Sequence, residues 1–248
     1  MNKLITITSD FGDQFASAQL RAIIASLGFK GDVIENHSVS PFSIEEGAFE
    51  LLVLTKFSPK DSIHVGVVDP EVGSNRKGII IKTKKSWFVG PDNGLLCKAA
   101  TSEGVETAWQ LQEAKISKKF SNTFHGRDIF VKAAVYIAKG KQPEEFGSLK
   151  IDPQTLRKIL FKTGQVLHVD HYGNIKIHWV SKIKLGQKLT VRTKKGYLEI
   201  PFTKTFSDVP PGKPLAFLGS SETLELAVNL GKADRFLSVK LGDVLLID

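Results

Sequence analysis

Cysteine is nearly absent: Cys97 is the only one in 248 residues, which excludes an internal disulfide and a cysteine-built zinc site. No apolar run approaches the roughly 20 residues that a membrane-spanning helix needs. The opening Met1-Asn2-Lys3-Leu4-Ile5-Thr6-Ile7 has too short an apolar stretch for a signal peptide and reads as a strand. Internal repeats, low-complexity tracts and a Gly-rich nucleotide loop are missing as well. What remains is a globular composition, 42% hydrophobic and 24% charged, in a chain long enough for one large or two modest domains. Together these absences point to a cytoplasmic enzyme or binding protein.

Charge is unevenly placed. The formal net charge is +8, with 19 Lys and Arg against 17 Asp and Glu through residue 150 and 15 against 9 after it. A basic second half invites nucleic acid as a partner. Lys182, Lys184, Lys194 and Lys195, however, fall where exposed strand faces and turns are expected. A solvated, aggregation-resistant face is the favoured reading, with neither nucleic acid nor a membrane as partner.

Hydrophobic periodicity divides the chain. Over residues 1–150 strands alternate with helices. Leu4–Ser9, Asp32–Glu35, Ser62–Val68, Gly78–Thr83 and Trp87–Val89 read as strands. Helices are expected over Phe15–Leu27, after a Ser43/Glu46 capping box with Phe49, Leu52 and Val53 on the apolar face, and over Arg127–Lys139 with Gly140 ending it. This alternation implies an α/β layered domain with a mainly parallel sheet. Residues 151–163 form the expected connection, and residues 164–248 an all-β domain, a small barrel or sandwich. There Ile175, Ile177 and Trp179 alternate with polar residues, Lys188–Arg192 and Tyr197–Phe202 flank the turn Lys194-Lys195-Gly196, and Leu215–Leu218 and Val244–Ile247 are further strands.

In open α/β sheets ligands bind beyond the carboxyl ends of strands. Three polar clusters sit there. Asp10, in Thr8-Ser9-Asp10-Phe11-Gly12, either caps a turn or meets a ligand. Asp69, before Pro70, either braces its loop by pairing with Arg76 or faces a ligand. In Thr123-Phe124-His125-Gly126-Arg127-Asp128, Asp128 suits the positive end of a helix, and His125 is either a structural or a catalytic histidine.

Taken in order, Asp10-Phe11-Gly12, Gly66-Val67-Val68-Asp69-Pro70 with Arg76, Gly90-Pro91-Asp92-Asn93-Gly94-Leu95-Leu96, Phe124-His125-Gly126-Arg127-Asp128 and Asp170-His171-Tyr172-Gly173-Asn174 form a specific constellation. It resembles the S-adenosyl-L-methionine hydroxide adenosyltransferases, also described as adenosine-forming S-adenosyl-L-methionine hydrolases and related to the fluorinase and chlorinase. The resemblance covers nearly the whole chain. It implies that Asp69, Arg76 and His125 orient and activate water, and that Asp10 holds the ribose hydroxyls. It places Asp170 and Asn174 at the methionine amine and adenine, Phe42 against the ligand, and Ser220 at the methionine end. It also implies a homotrimer with active sites at subunit interfaces.

The chemistry suits these residues. A sulfonium already leaves well, so what the reaction needs is a water held in line behind the ribose 5′ carbon, with no metal and no cofactor. Three departures from the family pattern stand out: Glu71 where a Gly is usual, a first loop that leaves the role of Asp13 open, and Gly219-Ser220-Ser221-Glu222-Thr223-Leu224-Glu225-Leu226-Ala227, which lacks the usual Asn and Gly. Two rivals draw on the same residues: an inactive adenosine- or nucleic-acid-binding protein, and a halogenase-like enzyme that uses a small anion. The complete Asp69–Arg76–His125 set favours hydrolysis over both.

Overall fold

β1 (Leu4–Ser9) is buried along its whole length, as a strand covered on both faces must be. It lies inside a seven-stranded sheet ordered β2-β1-β3-β5-β4-β6-β7, in a computed structural model that describes residues 3–12, 14–193 and 196–248. Asp13 and the Lys194-Lys195 pair of the expected turn lie outside the described residues. The other strands are β2 (Asp32–Asn36), β3 (Ile63–Val67), β4 (Gly78–Thr83), β5 (Trp87–Pro91), β6 (Val105–Gln110) and β7 (Leu149–Ile151). β1 pairs in parallel with β2 and β3, and β3 with β5. β4 runs against both β5 and β6, and β7 against β6, so five of the seven strands share one direction.

The period-2 alternation of the strands decides which helix covers which face. Ile5, Ile7, Ile63, Val65 and Val67 share a core with Leu20 and Ile24 of α1 (Gln14–Ser26) and with Val131, Ala134 and Val135 of α5 (Val131–Ala138). Residues of the opposite parity, Gly66 and Val68, approach Leu95 and Gly47. Gly47 belongs to α2 (Ile44–Phe57), which packs with α3 (Cys97–Glu103). The short α4 (Glu113–Ile116) follows β6.

Two sequence expectations about α2 are corrected. Ser43 caps the helix through the Glu46 N–H at 3.4 Å, but the Glu46 carboxylate turns away and accepts from Ser40 N–H at 2.8 Å, so the capping box is half made. The buried face is Ala48, Phe49, Leu51 and Thr55, with Leu52 and Val53 only half-buried. The helix expected over Arg127–Lys139 opens with a π-helical turn, Gly126–Phe130, before α5.

The chain divides into two compact units, Met1–Ile159 and Leu160–Asp248. In the second, β8 (Val166–Val169), β9 (Ile175–Ile177), β12 (Pro214–Leu218) and β13 (Leu224–Val228) form an antiparallel sheet ordered β12-β13-β9-β8. β10 (Lys188–Thr193) and β11 (Gly196–Pro201) form a hairpin, and α6 (Ala233–Leu237) follows β13. Ile175, Ile177, Leu189, Val191, Ile200, Leu226 and Leu237 build its core. Val244–Ile247 is not a strand; it touches the sheet and hairpin through isolated bridges, Gln165 to Val244 and Val191 to Ile247. Among the described residues no helix is long and apolar enough to cross a membrane.

One buried titratable group lies in the sheet itself. His64 stands beside Thr6 in the β1–β3 register and its Nδ1 is 2.7 Å from Thr6 Oγ1. Burial, and secondarily the Lys85 charge, lower its pKa to about 3. Above pH 6.5 the ring is neutral in both folded and unfolded chains. Below that the unfolded chain binds a proton that the folded chain refuses until about pH 3, so stability falls as pH drops through this window. At pH 4.5 the share of His64 is about 3 kcal/mol. Urea unfolding at pH 7 and pH 4.5 should show a larger loss for the parent than for His64→Asn; equal losses would remove His64 as the cause.

Candidate active site

The sheet order reverses between β1 and β3: from β1 the chain passes to β2 on one side and then to β3 on the other. Such a switch point opens a crevice at the carboxyl ends of the two strands. Ser9 pairs with Val67 there, so Asp10 and the Val68-Asp69 segment leave the sheet side by side. A cavity of about 120 Å³ lies at this point, lined by Asp10, Phe11, Phe42, Val67, Asp69, Val72 and Thr123 to Gly126.

Arg76 organises the polar side of the site. Its side chain is 1% exposed, that of Asp69 5% and that of His125 3%. Nε donates to Asp69 Oδ2 at 2.9 Å and Oδ1 at 3.1 Å. Nη2 lies 2.8 Å from Asp69 Oδ2 and 2.7 Å from His125 Nδ1. Nη1 donates to Glu113 Oε1 at 3.2 Å, and that oxygen is also 3.3 Å from His125 Nδ1. The guanidinium stands over the Phe130 ring, 5.3 Å from its centre. The two sequence alternatives for Asp69 thus coincide: it pairs with Arg76 and also lines the cavity.

A guanidinium has donors only, so the 2.7 Å contact with Arg76 is a hydrogen bond when His125 Nδ1 is bare. Neutral His125 then carries its proton on Nε2. That atom is buried with no hydrogen-bond partner among the described residues. The His125 pKa lies below the usual 6.5: burial is the largest cause, Glu113 opposes it, Arg76 adds to the lowering, and Asp69 and Asp128 oppose. His125 is placed by the π-helical turn, in which Val131 N–H reaches the Gly126 carbonyl; such insertions re-aim side chains at functional sites. Gly126 is close to Phe11 and Val67, where a side chain would crowd the cavity floor. Asp128 braces the loop: it pairs with Arg127 at 2.8 Å and accepts from Ser121 N–H at 2.8 Å. The Arg127 hydrogen bond, foremost, lowers its pKa.

On the other wall, Asp10 Oδ2 accepts from Phe42 N–H at 2.8 Å. Phe42 sits in the left-handed region, φ 65°, with its ring largely exposed. The β1 tip is braced from β2. Phe11 N–H donates to Ser9 Oγ at 3.2 Å, the Ser9 hydroxyl meets His37 Nδ1 at 2.7 Å, and Gly12 N–H donates to the His37 carbonyl at 3.2 Å. The Asp92-Asn93 motif acts from β5: Asn93 Nδ2 donates to the Val68 carbonyl at 2.7 Å and so fixes the backbone just before Asp69. Glu71 does not adopt a positive φ. The left-handed residue there is Gly73, φ 79°, whose missing side chain would strike the Asn122 carbonyl.

The second unit holds the remaining sequence candidates. Asp170 Oδ1 accepts from Tyr172 and Asn174 N–H, both at 2.9 Å, and Asn174 Nδ2 donates to Asp170 Oδ2 at 3.0 Å. These bonds close the β8–β9 turn. Beside it His171, Tyr172, Asn174, Phe206, Leu230 and Lys232 border an apolar hollow of about 550 Å³. Ser220 is exposed in the β12–β13 turn, apart from that hollow's lining. Glu222, where the family pattern has Gly, adopts φ 61°, a conformation costing a non-Gly residue roughly 1 kcal/mol.

Three side chains escaped the sequence reading. Glu113 joins the Arg76 cluster from a four-residue helix too short for periodicity to detect. Its one sequence signal is a lone acid at a helix start. Ser9 and His37 brace the β1 tip, and their 28-residue separation hides the link.

Residues 5–147 match the SAM hydroxide adenosyltransferase N-terminal domain and residues 164–246 the C-terminal domain of that family. The chain is 33% identical to the "(R)-S-adenosyl-L-methionine hydrolase" of Salinispora arenicola, over 97% of this chain and 96% of that protein. It is 24% identical to a "Fluorinase" of Actinoplanes, over 97% of this chain and 96% of that protein. The crystal structure of an uncharacterized conserved protein from Thermotoga maritima superposes with a TM-score of 0.90 at 29% identity, covering 99% of this chain and 100% of that one. In sequence motifs, domain order and fold, the chain belongs to the SAM hydroxide adenosyltransferase family.

Proposed function

We propose that the chain hydrolyses S-adenosyl-L-methionine to adenosine and L-methionine. The observation that carries this reading is a single buried guanidinium, Arg76, bound to both Asp69 and His125 at a cavity shared with Asp10. Water oxygen bonds to the ribose 5′ carbon, the carbon–sulfur pair leaves with methionine, and the water proton passes to the Asp69–Arg76–His125 cluster. Asp69 is the acceptor nearest to hand, as a carboxylate with lone pairs beside the cavity. His125, bare at Nδ1, offers its Nε2–H to the water oxygen and steadies the hydroxide that develops. Asp10, with its backbone anchor at Phe42, receives the ribose hydroxyls, and Phe42 covers the ligand. Because the relatives are named for the (R) epimer, the same epimer is the proposed substrate here.

The family resemblance implies a homotrimer, and two observations support sites that draw on a neighbouring subunit. The cavity of about 120 Å³ is well below the roughly 300–1,000 Å³ of ligand pockets, so it accommodates only the reacting part of the substrate. In the second unit Tyr172 and Leu230 are 73% and 88% exposed beside Asn174, an apolar surface that asks for cover. Asp170, Asn174 and Ser220 of the neighbour are then the proposed contacts to the methionine and adenine ends, with cyclic symmetry repeating one contact around a ring.

Incubation with S-adenosyl-L-methionine in ¹⁸O-water should place label in the 5′ hydroxyl of adenosine; adenosine without label would overturn hydrolysis. In the same assay Asp69→Ala and His125→Ala should each slow turnover at least about tenfold while ligand still binds. Asp10→Ala should instead weaken binding of substrate and adenosine together, since charge-assisted hydrogen bonds are worth about 1.5–3 kcal/mol each. Unchanged adenosine affinity by calorimetry would take Asp10 out of the site. Mixed oligomers of inactive His125→Ala and inactive Asp170→Ala subunits should regain part of the activity. No recovery after confirmed subunit exchange, or a monomer in solution, would sink the shared-site arrangement.

A further inference from the structure

Arg76 is gripped from two sides. Asp69 takes the Nε and Nη2 edge, while Glu113 Oε1 takes Nη1 at 3.2 Å and lies 3.3 Å from His125 Nδ1. We propose that Glu113 is a fourth, positioning member of the water-handling cluster, setting its charge and giving the released proton a way out to solvent. The inference rests on the hydrolase reading above.

Charge counting supplies the first argument. With neutral His125, one cation and two carboxylates leave the cluster at −1, and uptake of the proton from water brings it to zero. Without Glu113 the same uptake would leave a net positive charge in a site whose other side chains are at most 5% exposed, which burial disfavours. A second argument is spatial. Glu113 is 25% exposed and lines a groove of about 430 Å³ with Asn75, Arg76, Lys77, Lys115 and Phe120. Neither Asp69 nor His125 borders that groove. The groove keeps Glu113 in contact with solvent on a side separate from the reaction cavity. A third is the shared nitrogen. If the proton moves on from Asp69 to His125 Nδ1, that atom no longer accepts from Arg76, and Glu113 Oε1 is the acceptor within reach.

The groups facing His125 are Asp69 and Arg76 from the β3–β4 loop, Glu113 from α4 and Asp128 from its own turn, with Asp10 across the cavity. Lys132 acts on Asp128, and Lys77 and Lys115 flank Glu113. Glu113→Gln preserves shape and removes the charge; Glu113→Asp keeps the charge. In steady-state assays of the intact protein with S-adenosyl-L-methionine, Glu113→Gln should lower kcat at least about tenfold. It should leave adenosine affinity within about twofold, because only the transition state is affected. The acid limb of its kcat–pH profile should move to lower pH, since the charge that favours proton uptake is gone. Glu113→Asp should keep the parental limb and most of kcat, and Glu113→Ala, which also removes the charge, takes the place of the Gln variant if that fails to fold. Parental kcat in Glu113→Gln, a loss of kcat with an unmoved limb, or an equal loss in Glu113→Asp would each overturn the proposal while the hydrolase reading stands. A parent that releases no adenosine overturns both.

Discussion

A buried guanidinium cannot be left half-satisfied: it has five donors, no acceptor and a charge that cannot be discharged at ordinary pH. Arg76 meets that demand by collecting a strand-tip carboxylate, a helix-start carboxylate and an imidazole nitrogen from three separate stretches of chain. The polar side of the site is therefore tied to one side chain. Removing a partner leaves a desolvated charge behind, which is why such clusters resist piecemeal change. The same rigidity suits a reaction whose main requirement is to hold a small nucleophile in line.

The sheet supplies the frame for that cluster. Its reversal between β1 and β3 puts two carboxylates at adjacent strand ends without any loop having to reach. Secondary supports then act on backbone, not on the reacting groups: Asn93 on the Val68 carbonyl, His37 on the Ser9–Gly12 tip, Asp128 on the loop before His125. Asn93, one residue of the motif constellation, serves as such a support.

Much of this was legible before any coordinates. β1 and β4 have the bounds that alternation and turn residues imply, and Asp10, Phe42, Asp69 and His125 do meet at one cavity. The signal was strong because each sits beside a strand end or a helix start marked by Gly or Pro. What stayed hidden depends on long-range pairing. β6, β13 and the π-helical turn carry no distinctive periodicity, and Glu113 acquires its role only when α4 folds back onto Arg76. The Glu46 half of the capping box fails for the opposite reason: the local motif is present, but the carboxylate accepts from Ser40 N–H instead.

Phe42 joins two properties that mutation can separate. Its backbone N–H, held in a left-handed conformation, anchors Asp10, while its ring lies largely in the open at the cavity mouth. Since the anchor belongs to the main chain, a change of side chain at this position leaves the Asp10 carboxylate held as before. A lineage could thus remodel the mouth of the cavity without first losing the hold on Asp10. The restriction is conformational: replacements must tolerate positive φ, which favours Gly and Asn and penalises β-branched residues. Drift at this position is channelled by backbone geometry before selection on chemistry begins.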